Sequence, residues 1–153
     1  MKARKMAIIG TIAAVLYYGV LRGLKALSVR LQSIGLYGFD YEHNLVNLSA
    51  MFAIYNPLFV GLTLRGVQGE VYINGQHAGF VNHPMNSFLA SGVESYVEVG
   101  IALNMSELSS AILAQLQTGN MSDVTISFNG SVFVGDAKVG LPVQYDGQIN
   151  LLG

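Results

Sequence analysis

The clearest pattern in the sequence is an alternation of apolar and polar residues between Leu45 and Tyr55. One face of this segment is apolar throughout and consists of Val46, Leu48, Ala50, Phe52 and Ile54. A side-chain period of two is typical of a β-strand with one face against a core. Pro57 has no N–H group for a sheet hydrogen bond and disfavours helix at Asn56, so we expect the strand to end at this Asn-Pro pair.

A predicted hairpin follows this strand. The alternation resumes over Leu62–Val67, is interrupted at Gly69 and continues to Asn74. Asn74-Gly75 is the strongest hairpin signal in the chain, because both central residues of a type I′ turn need a positive φ angle. Gln76–Val81 is the predicted returning strand. The long strand, the loop and the hairpin form the first half of a predicted antiparallel β-sandwich.

The segments around the hairpin are less periodic. We expect Ser28–Tyr41 to be a neck, with a short early strand at Ile34–Tyr37 as the alternative. We expect Asn82–Gly92, which contains Pro84, to be a polar loop. Glu94–Leu103 alternates clearly and predicts another strand.

A single helix and the closing strands complete the predicted domain. Asn104 is a good N-cap, and Glu107 is placed to close a capping box three residues later. Gly119 supplies the C-terminal stop, which predicts one helix of about twelve residues. Val124–Val134 and Val139–Leu151 are predicted strands that complete the sandwich.

The N-terminal segment differs from the rest of the chain. Met6–Leu21 is a run of sixteen uncharged residues with basic residues on both sides. A transmembrane helix needs about 20 apolar residues. The run reaches that length at Leu27 if Arg22 and Lys25 extend their charges to the lipid head groups. The predicted anchor residues are Met6, Ile8, Ile9, Ile12, Val15, Leu16, Tyr17, Tyr18, Leu21, Arg22 and Lys25.

Two alternatives to a membrane anchor stay open. A cleaved signal peptide also has a charged start and a short apolar run, but no small-x-small site follows promptly. The segment also fits an amphipathic helix packed within a protein assembly. Under the membrane interpretation, residues 1–30 form the N-terminal hydrophobic helix, transmembrane or anchoring, and residues 31–153 form the β-sandwich domain.

Composition and charge divide the chain into two parts, a basic N-terminal segment of about thirty residues (the basic head) and an acidic remainder (the acidic body). Only 11% of the residues are charged, against about 25% in an average soluble domain. Six of the eight basic residues lie in the first thirty, whereas all nine acidic residues lie beyond them. An acidic body argues against a nucleic-acid partner, and a basic head suits contact with anionic lipid.

The sequence does not contain the motifs that usually mark a catalytic or metal-binding site. The three histidines, His43, His77 and His83, lack the spacing to one another or to carboxylates that a metal site usually shows. There is no cysteine for a thiolate site. No serine lies in a G-x-S-x-G elbow, and no glycine run has phosphate-loop spacing. We therefore expect no enzyme activity, no cofactor and no small-molecule substrate.

The chain from Leu36 to Leu151 resembles the type 2 late-embryogenesis-abundant family, the water stress and hypersensitive response domain. The resemblance rests on the Asn56-Pro57 strand end, the glycine-marked hairpin Val67–Gly75 and the closing segment with Leu141-Pro142. It implies an all-β, immunoglobulin/fibronectin-III-like antiparallel sandwich with one short helix. It also implies a protein without catalysis, often with an N-terminal hydrophobic anchor, in membrane-associated protection or scaffolding.

These observations predict a non-enzymatic, membrane-anchored β-sandwich that acts as a structural, scaffold or protective module. The expected partners are a lipid bilayer, through the N-terminal helix, and neighbouring protein chains. The expected location is a membrane, either a cell envelope or a virion membrane. A structural protein that links the lipid layer and protein shell of a membrane-containing virus or phage is one alternative, and a lipid-binding module is the other.

Two groups of residues in the sandwich are the candidate sites. Asn56, Pro57, Asn74 and Gly75 are expected to have a structural role, with the Asn56 side chain forming an Asx turn. Aromatic residues at outward or loop positions of the alternation are the interface candidates, because aromatics are enriched at interaction hot spots. These are Tyr55, Tyr72, Phe80, Phe88, Tyr96, Phe133 and Tyr145.

The anchor prediction can be tested by placing a charge at its centre. Ala14→Arg should cost about 2.5–3.5 kcal/mol of insertion free energy, because a charged side chain is unfavourable in hydrocarbon. Membrane fractionation should show release of the mutant to the soluble fraction. An unchanged distribution would mean that protein, rather than lipid, holds the segment.

Overall fold

The computed structural model describes residues 27–119 and 124–151. Most of the predicted N-terminal helix, residues 1–30, lies outside this part of the chain. The described residues form two packed β-sheets and one α-helix, which agrees with the predicted all-β sandwich class.

Eight strands and one helix make up the domain. Their bounds are β1 Ser28–Asp40, β2 Leu45–Tyr55, β3 Leu62–Ile73, β4 Gln76–Leu89, β5 Glu94–Asn104, α1 Ser110–Thr118, β6 Thr125–Val134, β7 Val139–Gln148 and β8 Asn150–Leu151. Sheet A has the order β5-β2-β1-β8, and sheet B has the order β4-β3-β6-β7. The pairs are antiparallel, except that β8 pairs with β1 in parallel.

The core lies between the two sheets and follows the predicted alternation. The five apolar residues of β2, from Val46 to Ile54, are all buried. Phe52, the aromatic residue among them, packs edge to face against Phe128 of sheet B, with the ring centroids 6.1 Å apart. This geometry is favourable for aromatic pairs beyond the area that they bury.

The Phe128 ring needs two glycines. Gly69 on β3 and Gly130 on β6 are register partners. A Cβ atom at Gly69 would lie 2.6 Å from Phe128 Cζ, and one at Gly130 would lie 2.8 Å from the same atom. Gly69 was predicted to interrupt its strand, but β3 is continuous from Leu62 to Ile73.

The prediction of a neck over Ser28–Tyr41 was wrong, because this segment is the 13-residue strand β1. Its register against β2 shifts between Leu31 and Ser33 and again between Leu36 and Gly38. Each bulge inserts a residue and changes which side chains face the core. The resulting loss of strict alternation hid the strand in the sequence.

The predicted polar loop Asn82–Gly92 was also wrong over most of its length, because β4 runs on to Leu89. Pro84 is tolerated there because β4 is an edge strand of sheet B, where a missing N–H group need not break a ladder.

The single predicted helix is two elements. Asn104 caps only a 3₁₀ turn, Met105–Glu107, by accepting a hydrogen bond from Ser106 N. Leu108 is extended, and the nine-residue helix α1 then begins after its own N-cap, Ser109. The predicted stop at Gly119 is confirmed, since Gly119 adopts the left-handed conformation with a φ of 74°.

The Asn74-Gly75 turn offers a direct test of backbone strain. Its φ angles are 50° and 79°, as a type I′ turn requires. Gly75→Val should lower the free energy of unfolding by about 1 kcal/mol or more, because a β-branched residue disfavours positive φ. Urea unfolding measures the loss.

Gly100→Val is the matched control for that variant. A Cβ atom at either glycine meets nothing within 4 Å, but only Gly75 has a positive φ. Equal stabilities of the two variants would contradict the assigned strain.

Candidate interaction surfaces

The predicted anchor residues, from Met6 to Lys25, lie outside the described residues. Within residues 27–119 and 124–151, no helix is long and apolar enough to span a membrane. Leu27, which ends the longer predicted span, is buried in the sandwich core. A membrane-spanning stretch would therefore end before this residue.

Asn56 holds two loops together at one end of the sandwich. Its side chain is fully buried. Asn56 Nδ2 donates hydrogen bonds to the carbonyl oxygens of Val60, at 2.9 Å, and Leu89, at 3.1 Å. Its Oδ1 accepts a hydrogen bond from Leu58 N at 3.0 Å, which is the geometry of an Asx turn. The Asn56 backbone N–H also bonds to Val93 O.

We use the name loop end for the end of the sandwich formed by residues 56–61, 90–93 and 135–138 and by the start of β1. Ser28 is the register partner of Tyr55, Gly92 N donates to Asn56 O, and Gly135 N donates to Thr63 O. The chain that precedes Leu27 therefore joins the sandwich at this end.

The loop end exposes apolar side chains that the alternation did not identify. Phe59 is 96% exposed, and Val60 and Val93 are also exposed. The signal in the sequence was the apolar triplet Leu58-Phe59-Val60 directly after the strand-ending Asn56-Pro57. Apolar residues in a loop have no periodicity that would assign them to a core face.

The seven interface candidates have three different environments. Tyr55, Phe80, Phe88 and Tyr96 are exposed, and Tyr72 and Phe133 are half-buried. Tyr145 instead packs against the core, as the register partner of Phe128, so its predicted outward orientation was wrong. Tyr55 and Phe88 lie near the loop end, and the Phe88 ring covers Gly61.

Tyr72, His77 and Phe80 form an aromatic row on the β3–β4 hairpin. The ring centroids of Tyr72 and His77 are 5.4 Å apart, and those of His77 and Phe80 are 4.7 Å apart. The Tyr72 hydroxyl donates a 2.7 Å hydrogen bond to Glu70 Oε2, which raises the pKa of Tyr72 above its ordinary value. Phe80 also borders a shallow depression of about 390 Å³ on the outer face of sheet B.

The outer face of sheet A carries a second depression, of about 430 Å³. Its lining includes Tyr37, Gly100 and the pair Ser49–Glu98, in which Ser49 Oγ donates a 2.7 Å hydrogen bond to Glu98 Oε1. On the same sheet, the hydrogen bond with Glu94 raises the pKa of Tyr96 above its ordinary value.

The three histidines occupy different parts of the domain. His43 Nδ1 lies 2.7 Å from Asp40 Oδ2, and this hydrogen bond lowers the pKa of Asp40 below its ordinary value. His77 belongs to the aromatic row and His83 to β4. In the described part of the chain, no three His, Cys, Asp or Glu side chains come together to hold a metal ion.

The fold is similar to that of several solved structures. Arabidopsis thaliana AT1g01470 shares 14% identity with a TM-score of 0.61, and the match covers 82% of each chain. An Archaeoglobus fulgidus protein shares 12% identity with a TM-score of 0.55, over 77% of this chain and 93% of that chain. A candidate late embryogenesis abundant (LEA) protein, At2g46140.1, shares 13% identity with a TM-score of 0.51, over 95% of this chain and 88% of that chain.

No protein family model matches the chain, and no curated protein matches it either. At identities of 12–14%, the structural likeness shows the fold alone. The fold is therefore a β-sandwich of the kind found in a candidate LEA protein.

The role of Asn56 can be tested with Asn56→Asp. At neutral pH the buried carboxylate would face the carbonyl oxygens of Val60 and Leu89 without donating to them. We expect a loss of about 3 kcal/mol or more in the free energy of unfolding, because a buried carboxylate that faces two carbonyl oxygens is strongly unfavourable even with the hydrogen bond from Leu58 N. Urea unfolding at several pH values measures it.

The pH dependence gives this variant a distinctive signature. Burial raises the pKa of an aspartate above its unfolded value of about 3.9. The folded state therefore takes up a proton first as the pH falls, and the protonated acid can donate to one carbonyl. The loss should shrink on acidification through the folded pKa. Asn129→Asp, at an exposed strand position, is the control, and an equal, pH-independent loss in both variants would contradict the role of Asn56.

Proposed function

We propose that this chain is a non-enzymatic, membrane-anchored structural or scaffold protein. Residues upstream of Leu27 hold it to a lipid bilayer, and the β-sandwich contacts neighbouring protein chains. The observation that carries the proposal is the exposed aromatic row on sheet B. Phe80, at its end, is 70% exposed on the described domain.

The aromatic row has the properties of a contact surface. Its three rings are held against one another, and the Tyr72 hydroxyl is fixed by Glu70. Ordering such side chains on binding costs little entropy, because they are already in place. Exposed apolar groups beside polar ones such as Gln68 and Asn82 resemble the core and rim of a protein interface.

Within this proposal, the chain is a member of the type 2 late-embryogenesis-abundant family, and its sandwich is of the immunoglobulin/fibronectin-III-like kind. This assignment is supported by the Asn56-Pro57 strand end, by the Asn74-Gly75 hairpin and by the likeness of fold to At2g46140.1. The location follows from the anchor and is a cell envelope or virion membrane. Protection of a membrane and linkage of a viral lipid layer to its shell are both forms of this scaffold role.

A lipid-binding module has less support. Such a module needs internal space between its sheets for acyl chains. In this sandwich the centre is occupied by Phe52 and Phe128, whose rings meet across the two sheets. The two depressions described above, one lined by Phe80 and the other by Tyr37, lie on the outer faces of the sheets and not between them.

The scaffold role is tested by photo-cross-linking from position 82, beside the aromatic row, with the full chain in its native membrane. Phe80→Ser should lower the yield of cross-links to neighbouring protein by at least about fivefold, because truncating a central interface aromatic usually costs more than 1 kcal/mol. Gel analysis and mass spectrometry measure the yield and identify the neighbour.

Gln144→Ser is the matched control, since Gln144 is exposed on β7 of the same sheet. Thermal melts of both variants check that each is folded. Equal cross-link yields from Phe80→Ser and the unchanged chain, or no cross-link to protein at all, would overturn the proposed contact surface.

A further inference from the structure

The loop end brings together the exposed aliphatic side chains of the domain. Among the valine, leucine, isoleucine and methionine residues of 27–119 and 124–149, only Val60 and Val93 are exposed, and both lie here beside Phe59. The opposite end, with residues 41–44, 74–76 and 104–109, exposes mainly polar and acidic side chains. The two ends of the sandwich therefore differ in chemistry.

The charged side chains are also distributed unequally between the two ends of the sandwich. The described residues contain three basic side chains, and all three lie at or beside the loop end. Arg30, near the start of β1, is joined to Glu94 at 3.2 Å, and Arg65 is joined to Asp136 at 2.6 Å. Lys138 is in the 135–138 turn. Of the eight acidic residues in the described ranges, only Glu94 and Asp136 lie there. The loop end thus has a net charge of +1 (three basic, two acidic), and the other described residues have −6.

The loops that carry the apolar side chains are braced from within. Asn56 bonds to Val60, Leu89 and Val93, and Ser91 Oγ donates to Leu58 O. The backbone that carries Phe59 and Val60 is therefore held by hydrogen bonds, which lowers the cost of ordering the loop on contact with a partner.

The sequence upstream of Leu27, together with the end at which β1 begins, points to that partner. Six residues lie between Leu21, the end of the uncharged run, and Ser28, so the seven residues from 22 to 28 bridge the two. Seven extended residues span at most about 25 Å. A bilayer that holds the uncharged run is therefore within this distance of the loop end, and Arg22 and Lys25 add two basic charges in the intervening chain.

We propose that the loop end docks on the surface of the anchoring membrane. Phe59, Val60 and Val93 enter the boundary between head groups and acyl chains. Lys138 faces anionic head groups, beside Arg30 and Arg65, which are paired with Glu94 and Asp136. Aromatic and aliphatic insertion together with basic residues is the combination that binds anionic interfaces. This inference rests on the proposed membrane anchor but concerns a separate contact.

The absence of cysteine from the chain allows a direct test. Phe59→Cys is labelled with an environment-sensitive fluorophore in the full chain, reconstituted into vesicles of equal parts phosphatidylcholine and phosphatidylserine. Tyr41→Cys is the matched control, because Tyr41 is 66% exposed at the opposite end. We expect at least about threefold less quenching by aqueous iodide at position 59 than at position 41, and strong quenching by brominated lipid only at position 59.

The possible failures are distinguishable. If the protein does not float with vesicles, the proposed anchor is overturned. If it floats but iodide quenches both labels equally, the docking of the loop end is overturned. Protection from iodide without quenching by brominated lipid would show a protein contact, with a second copy or another chain, and would also overturn it. Equal protection on pure phosphatidylcholine would overturn the role of the basic residues.

Discussion

The contact between Phe52 and Phe128 is the constraint on which the sandwich depends. It joins the middle of sheet A to the middle of sheet B, and it exists only because Gly69 and Gly130 leave room for the Phe128 ring. A side chain at Gly69 would clash with the Phe128 ring, and one at Gly130 would clash with both the ring and the backbone of β3. A close-packed core does not absorb such overlaps. The spacing of the two sheets, and with it the placement of every loop at their ends, follows from this cluster.

The parts of the fold that could be predicted from sequence are those in which one strand face is buried without interruption. β2 and β5 satisfy this condition, and the Asn74-Gly75 turn is specified by local backbone preference alone. β1 could not be predicted because its two bulges change the period. The part of β4 beyond Val81 was missed because Pro84 is acceptable only on an edge strand. Edge position depends on the order of strands, which is a property of the assembled sheet and not of the local sequence.

The candidate surfaces were predictable to a similar degree. Phe80 and Tyr96 occupy outward positions of strands whose alternation is regular, so their exposure follows from the pattern. Tyr145 lies on β7 in step with the buried Leu141 and Val143, so the alternation of that strand already indicates its inward orientation, and the pairing with Phe128 agrees. Phe59 and Val93 lie in loops, where periodicity carries no information about burial. Their grouping depends on Asn56, whose hydrogen bonds bring together segments that are distant in sequence.

The position of β1 also determines how the domain would respond to mechanical load. β1 lies inside sheet A, between β2 and β8, and pairs with β2 along almost its whole length. Tension applied from the N-terminal side enters at Ser28 and runs along this strand. The ladder hydrogen bonds are perpendicular to the strand, so they share the load in shear instead of opening one after another. A domain pulled along β1 from that end would therefore resist extension better than one pulled across its strands, where the ladder bonds open one at a time.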